Sequence, residues 1–355
     1  MLKRSGLRGY SVILLAAVAT ACGQSATPTA PTPTPIPTPG SPATTGDLTS
    51  SLSAAFDALA IPASGAACSI SISQHGQVVL EGGRGQIAPG REATADSLYR
   101  IASLTKPITA TAVLISERAG RLSRTDKINR FLAFPEPAPT IDELIKHIPG
   151  LPDYLSTPAY QSGRTTPTTV ETLLSLIQPW DGVRRYQYSN SHAILSGAAL
   201  QQVNGLRYED VVQRDIFGPA GMSRSSFALP PPSESFSFAP ATHPSWNYAA
   251  GGVTSTAPDM NRFNQALLSN AFGFGAVESF DRSAAGVTSF GMGSAVSSGD
   301  LRFTHTGLID SYGSYSVIFP SDRSSVVVLC NFPSIALTNF VLGPGGIRSI
   351  LLAAK

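Results

Sequence analysis

The chain is short of charge, cysteine and lysine. Only 14% of its 355 residues are Asp, Glu, Lys or Arg, and the formal net charge is +2. That small excess sits at the N-terminus, because without Lys3, Arg4 and Arg8 there are 22 basic residues against 23 acidic ones. No basic stripe or Lys/Arg-rich run remains, which excludes the electrostatic footprint of a nucleic-acid-binding protein. The 3 cysteines, and 5 histidines without a His-Glu-x-x-His pair, offer no metal-ligand spacing. Neither a metal nor any other cofactor is expected. Internal repeats are absent, and the apolar run Val12–Ala19 is too short to span a bilayer.

What is present begins with an export signal, residues 1–22. Lys3, Arg4 and Arg8 make a basic segment ahead of the apolar Val12–Ala19. Ala19-Thr20-Ala21-Cys22 has the form of a bacterial lipobox, so lipidation of Cys22 is expected, with ordinary secretion after cleavage near Ala21 as the alternative. Residues 23–46 are Thr-Pro repeats and small residues without charge, which read as a semi-rigid spacer or as disordered filler. The folded domain is then residues 47–355, held at a membrane by a lipid anchor and facing the periplasm or exterior, as a monomer. Its apolar content suits a full core, 42% over the chain. Cys68 and Cys330 fall in strand-like runs, where an exported chain permits a disulfide and two buried thiols are the alternative.

Periodicity gives the elements. Leu48–Ala60 predicts an amphipathic helix, and Cys68–Ser73 and Gln77–Glu81 predict strands joined at Gln74-His75-Gly76. Ser97–Ala102 is strand-like and turns into a helix ending near Gly120. Helical patterns follow at Ile141–His147, Val170–Ile177, His192–Val203, Tyr208–Ile216 and Pro258–Leu268, broken by Gly/Pro loops. Strand signals return at Phe303–His305, Gly313–Phe319 and Ser325–Cys330, with the last turn at Pro320–Arg323. Strands at both ends of a helical middle predict a mixed α/β fold of α+β type, one sheet assembled from distant segments.

Chemistry concentrates at three places. Ser103-Leu104-Thr105-Lys106 puts a hydroxyl and an amine on one helical face. A serine there is ordinarily a helix cap. As a nucleophile it would instead face a substrate at the helix N-terminus, with Lys106 taking its proton once burial lowers the amine's pKa. Lys106 is one of only 5 lysines and opens the apolar segment Pro107–Ile115, where an unpaired lysine is costly. Tyr188-Ser189-Asn190 precedes an apolar helix. Either Tyr188 packs on the surface while Asn190 caps that helix, or Tyr188 moves a proton to the leaving group while Asn190 holds Lys106 and a substrate amide. In the second case nearby cations must lower the phenol's pKa. His305-Thr306-Gly307 lies on a strand. In a catalytic reading Gly307 lets an acyl group approach closely, and the N–H groups of Ser103 and Leu308 would then form an oxyanion hole. His305 would supply a donor or positive charge; otherwise it is a sheet histidine.

The three motifs, in this order, resemble the serine β-lactamase-like superfamily, nearest its class C β-lactamase, DD-peptidase and family VIII esterase branch. Further segments carry the resemblance: Leu98–Ser123, His147–Tyr154, Phe217–Met222 and Ala249–Met260, within a span of roughly 48 to 355. The resemblance implies an antiparallel sheet flanked by helices, with an inserted all-helical subdomain and the site between them. It implies Ser103 as nucleophile, Lys106 as activator, Tyr188 as general acid/base, and Asn190, His305, Thr306, Gly307 and Leu308 as substrate-orienting groups. It also implies that the first and last strands are neighbours, which favours a Cys68–Cys330 disulfide. His305 stands where β-lactamases proper carry lysine, and Ile148-Pro149 replaces the usual Thr-Ser. The function implied is hydrolysis through an acyl-enzyme, of a D-amino-acid peptide or cell-wall-type amide first, small acyl esters second and β-lactams third. The rival from another class is a non-catalytic relative that binds cell wall or a partner protein.

Overall fold

The computed structural model describes residues 45–62, 65–231, 241–274, 293–297, 300–333 and 336–354. The export signal, Cys22 and the spacer up to residue 44 lie outside the described residues. The first helix, α1 (Thr45–Asp57), begins inside the expected spacer and ends three residues before Ala60.

The main sheet contains β1 (Ala67–Gln74), β2 (Gln77–Ala88), β3 (Arg91–Glu92), β6 (Gly293–Ser297), β7 (Asp300–Ile309), β8 (Tyr312–Phe319) and β9 (Ser324–Cys330). Their order is β3-β2-β1-β9-β8-β7-β6, and every pairing is antiparallel. β4 (Tyr99–Arg100) and β5 (Thr254–Ser255) form a separate two-stranded ladder, so the strand expected at Ser97–Ala102 is shorter and stands apart from the main sheet. Between β4 and β5 runs the helical part. It includes α2 (Thr105–Arg118), α3 (Asn190–Asn204) and α4 (Pro244–Gly251), followed after β5 by α5 (Ala257–Leu268).

Burial explains this layering. β1, β8 and β9 are buried at every position, which requires cover on both faces. Cys68, Ile70, Ile72, Val326 and Val328 point to one face, against α1 and two C-terminal helices, α6 (Leu337–Leu342) and α7 (Ile347–Ala353). Ala67, Val327 and Leu329 join the core on the other face, as period-two alternation demands. The last two helices carry no cue beyond short apolar runs and were not anticipated.

The face toward α5 is unusual in being polar. Ser71 Oγ accepts from Asn261 Nδ2 at 2.8 Å, and Ser73 Oγ donates to Asn261 Oδ1 at 3.0 Å. Asn264 Nδ2 donates to Ser316 Oγ and to Ser325 Oγ, both at 2.9 Å. All six side chains are buried, and small hydroxyls let the helix lie close while each polar atom named finds a partner.

Cys68 faces Cys330 in the β1–β9 register, and the two are joined as a disulfide with Cα atoms 4.1 Å apart. The bond closes a loop of 262 residues between the first and last strands. Replacing both cysteines by serine is expected to lower unfolding free energy by about 2–4 kcal/mol. Urea denaturation under non-reducing conditions checks this; an unchanged midpoint would show that the bond adds nothing to the paired strands.

Candidate active site

Ser103 is the middle residue of a 3-10 turn, Ala102–Leu104, that runs directly into α2. Ala102 sits at φ 49°, a conformation an alanine adopts only under constraint. The constraint is visible in the neighbouring strand. A Cβ placed on Gly307 would lie 2.5 Å from Ile101 O, 2.2 Å from Ser314 Oγ and 3.1 Å from Ala102 Cβ. β7 therefore reaches the nucleophile turn only because position 307 has no side chain, and Ser314 Oγ donates to Ile101 O at 2.8 Å to fasten it. Leu308 follows at once and lines the same cavity as Ser103.

Lys106 is the most committed group in the site. Its side chain is fully buried, and Nζ lies 3.0 Å from Ser103 Oγ, 2.7 Å from Asn190 Oδ1 and 2.8 Å from Ala250 O. Gly197 of α3 makes the third contact reachable, since a Cβ there would come within 2.4 Å of Ala249 Cβ. Burial lowers the Lys106 pKa to about 7, partly opposed by the negative charge of Asp153.

Asp153 has a second task. Its Oδ2 accepts from Asn190 Nδ2 at 2.7 Å and from Asn190 N at 3.1 Å, fixing the amide so that Oδ1 faces Lys106. One amide proton of Asn190 is thus spent on Asp153. Sequence reasoning missed Asp153, although it is the only carboxylate in the stretch His147–Tyr154.

Tyr188 stands over Lys106, with Nζ 5.0 Å from its ring centroid. The residue is 40% exposed, and its ring packs against His147 at 4.6 Å between centroids. Burial pushes the phenol above its ordinary value, and the nearby Ser103 hydroxyl only partly offsets it. Tyr188 is therefore a protonated phenol in the resting site, not the ionised one that nearby cations were expected to give.

Three of the histidines surround this centre, and all are held neutral. His305 lies 6.2 Å from Tyr188, ring to ring, and its Nδ1–H donates to Thr306 O at 2.5 Å. Burial, then the charge of Lys106, lowers its pKa to about 3. The positive charge considered for His305 from sequence is thus replaced by a neutral ring with Nε2 as acceptor. Thr306 is exposed beside it. His147 packs on Tyr188 at 4.6 Å and meets His192, Nδ1 to Nδ1, at 2.7 Å. His192 Nε2 donates to Pro149 O at 2.8 Å, and the Ser189 N–H reaches His147 Nδ1 at 3.5 Å. Burial holds His192 at about 4 and His147 well below the usual imidazole range. Neither was singled out from sequence as a site residue, since an apolar helix start gives His192 no distinguishing mark.

The arrangement joins a serine hydroxyl, a buried amine, a protonated phenol and a glycine-lined strand, and among the described residues no cluster fit for a metal ion occurs. Fold and site together are those of a β-lactamase-like protein. Residues 56–336 match the family model described as Beta-lactamase, and the chain belongs to that family. It is similar to penicillin-binding protein 4* of Bacillus subtilis, at 31% identity over 153 residues, 40% of this chain and 33% of that protein. The chain thus aligns with only a third of that relative's length. Among solved structures it resembles D-amino acid amidase from Ochrobactrum anthropi SV3, with TM-score 0.69 and 20% identity over 87% of this chain and 98% of that one. It also resembles a class C β-lactamase from Rhodobacter sphaeroides, with TM-score 0.66 and 19% identity over 86% and 97%. At these identities the structural likeness speaks for the fold.

Two outcomes test the geometry without a substrate. With 5 lysines in the chain, 13C-labelled lysine side chains can be followed individually by NMR, and one is expected to titrate near pH 7 and vanish in Lys106→Met. Asp153→Asn removes the charge that favours the ammonium, so this titration should move to lower pH. A Lys106 that titrates near 10 would contradict the burial argument.

Proposed function

We propose that Ser103 is an acylating nucleophile, and that the chain hydrolyses amide or ester bonds through a covalent acyl-enzyme. One observation carries this reading. Of the three partners of Lys106 Nζ, Asn190 Oδ1 and Ala250 O are pure acceptors, and only the Ser103 hydroxyl can change from acceptor to donor. As an ammonium, Lys106 fills all three positions. When it loses a proton, its two remaining N–H groups stay on the amide and the carbonyl, and its lone pair turns to Ser103. With a pKa near 7 this free amine is well populated at neutral pH.

Acylation then runs as follows. The amine takes the Ser103 proton as Oγ attacks the substrate carbonyl, and the oxyanion forms against the N–H groups of Ser103 and Leu308. Tyr188 gives its phenolic proton to the departing nitrogen or oxygen and recovers one from the Lys106 ammonium below its ring. Water enters in place of the leaving group, loses a proton to the same pair and releases the acid. Asp153 and Asn190 act as positioning residues for Lys106.

The substrate class we assign is a D-amino-acid peptide or cell-wall-type amide. It is supported by likeness to a penicillin-binding protein and a D-amino acid amidase, and by the export signal and lipobox-like Cys22, which suit a membrane-anchored enzyme facing the cell wall. The neutral His305 counts against firm capture of a β-lactam carboxylate.

Release of D-alanine from a D-alanyl-D-alanine peptide, hydrolysis of a short acyl ester and the lifetime of a fluorescent penicillin adduct distinguish the substrate classes. Ser103→Ala should abolish both turnover and the adduct seen by intact-mass spectrometry, and retained labelling would remove Ser103 from its role. Tyr188→Phe should slow turnover by roughly 10²–10⁴-fold. For the unmodified enzyme kcat/KM should rise with pH through about 7 as Lys106 loses its proton. Because His147, His192 and His305 are all held neutral, no imidazole step is expected at that pH.

A further inference from the structure

A second group of charges borders the nucleophile. The cavity beside Ser103 has a volume of about 410 Å³, and besides Ser103 and Leu308 its lining includes Arg164, Thr242, Asn247 and Asp310. Tyr188 and His305 are not part of that lining. Since Tyr188 protonates the leaving group in the mechanism above, a substrate places its acyl portion, not its leaving group, in this cavity.

Asp310 looks like a site for a substrate ammonium, but it is already saturated. One oxygen accepts from Arg100 Nη1 at 2.5 Å and Thr242 N at 3.0 Å; the other accepts from Arg164 Nη1 at 3.0 Å and Thr242 Oγ1 at 2.8 Å. Four donors fill what a carboxylate can take. The surplus lies on the donor side. Arg164 commits only Nη1, its Nε and Nη2 meeting no acceptor among the described residues, and its side chain is 32% exposed. Asn247 Nδ2 and Arg100 Nη2 are buried with no acceptor among the described residues, on side chains only 7% and 2% exposed. Two guanidinium groups against one carboxylate leave a net charge of +1 at this wall. The adjoining residue, Tyr248, sits at φ 37° within α4, so Asn247 is held beside the cavity by a strained backbone.

We propose that this cavity is a subsite for a carboxylate on the acyl portion of the substrate, with Arg164 the contacting cation and Asn247 the second donor. The proposal rests on Ser103 being the nucleophile and specifies which acyl groups it accepts. A planar guanidinium with two uncommitted nitrogens matches a carboxylate's two oxygens. An ammonium-bearing acyl group would meet only donors and positive charge.

Two N-capped D-alanyl thioesters of the same neutral thiol test it, one capped by glutaryl and ending in a carboxylate, the other by its terminal carboxamide. The glutaryl compound should show kcat/KM higher by about tenfold, the worth of one charge-assisted pair. Arg164→Gln should collapse that ratio toward one. A ratio near one in the unmodified enzyme, or one that survives Arg164→Gln, overturns the subsite. Calorimetric titration of Ser103→Ala with the two product acids separates the subsite from the hydrolase reading. A preference for the dicarboxylate without turnover in the parent keeps the subsite and removes the hydrolase reading; turnover without preference removes the subsite alone; equal affinity for both acids also overturns it.

Discussion

Everything in the site is organised around an amine that has been taken out of water. A lysine with no exposed surface is costly to keep charged, and the surrounding structure compensates only in part. Two fixed acceptors and one more distant carboxylate keep Lys106 in place, while among the described residues nothing pairs with it directly as an ion. A salt bridge at contact distance would hold the proton on; bare hydrocarbon would drive it off altogether. What surrounds Lys106 is intermediate, and that balance leaves a proton free to exchange with a hydroxyl 3.0 Å away.

The histidines extend the same balance. A cationic imidazole anywhere in the cluster of His147, His192 and His305 would repel the ammonium and depress its pKa further. Burial of all three prevents this, and the hydrogen bonds to Pro149 O and Thr306 O settle which nitrogen carries the proton in His192 and His305. The cost is that His305 offers no charge to an anionic leaving group. Positive charge is instead found in the guanidinium groups around Asp310. The three imidazoles near Tyr188 are neutral, whereas two guanidinium groups stand at Asp310.

Much of this was legible in the sequence, because it resides in local signals. Ser103 and Lys106 are three apart on a helix, and Tyr188-Ser189-Asn190 and His305-Thr306-Gly307 lie at the ends of elements that periodicity locates. The continuous apolar run of β9 and the long helices α2, α3 and α5 follow from hydrophobic patterning. What escaped was set by partners far apart in the chain. Asp153 matters because it meets Asn190, 37 positions away, and Arg100 meets Asp310 across 210. No spacing rule joins such pairs. The protonation of Tyr188 and His305 escaped for a related reason, since burial of a side chain's end is a property of the packed cleft and not of its neighbours in sequence. α6 and α7 were missed because short apolar helices after the last strand carry neither caps nor a sustained period.

The serine and asparagine seam between the sheet and α5 bears on how accurately the nucleophile is held. A helix resting on aliphatic side chains can slide by a fraction of a turn at little energetic loss, because contact area hardly changes. Hydrogen bonds between Asn261 and Asn264 and four serines on three strands are directional, and a shift of an ångström would break several at once. α5 begins two residues after β5, β5 pairs with β4, and β4 leads within three residues to Ser103. The seam therefore works as an alignment gauge. It references the position of the reactive oxygen to the sheet that carries Gly307 and Leu308, so the two walls of the cleft are registered to each other through a polar lock on the far side of the helix.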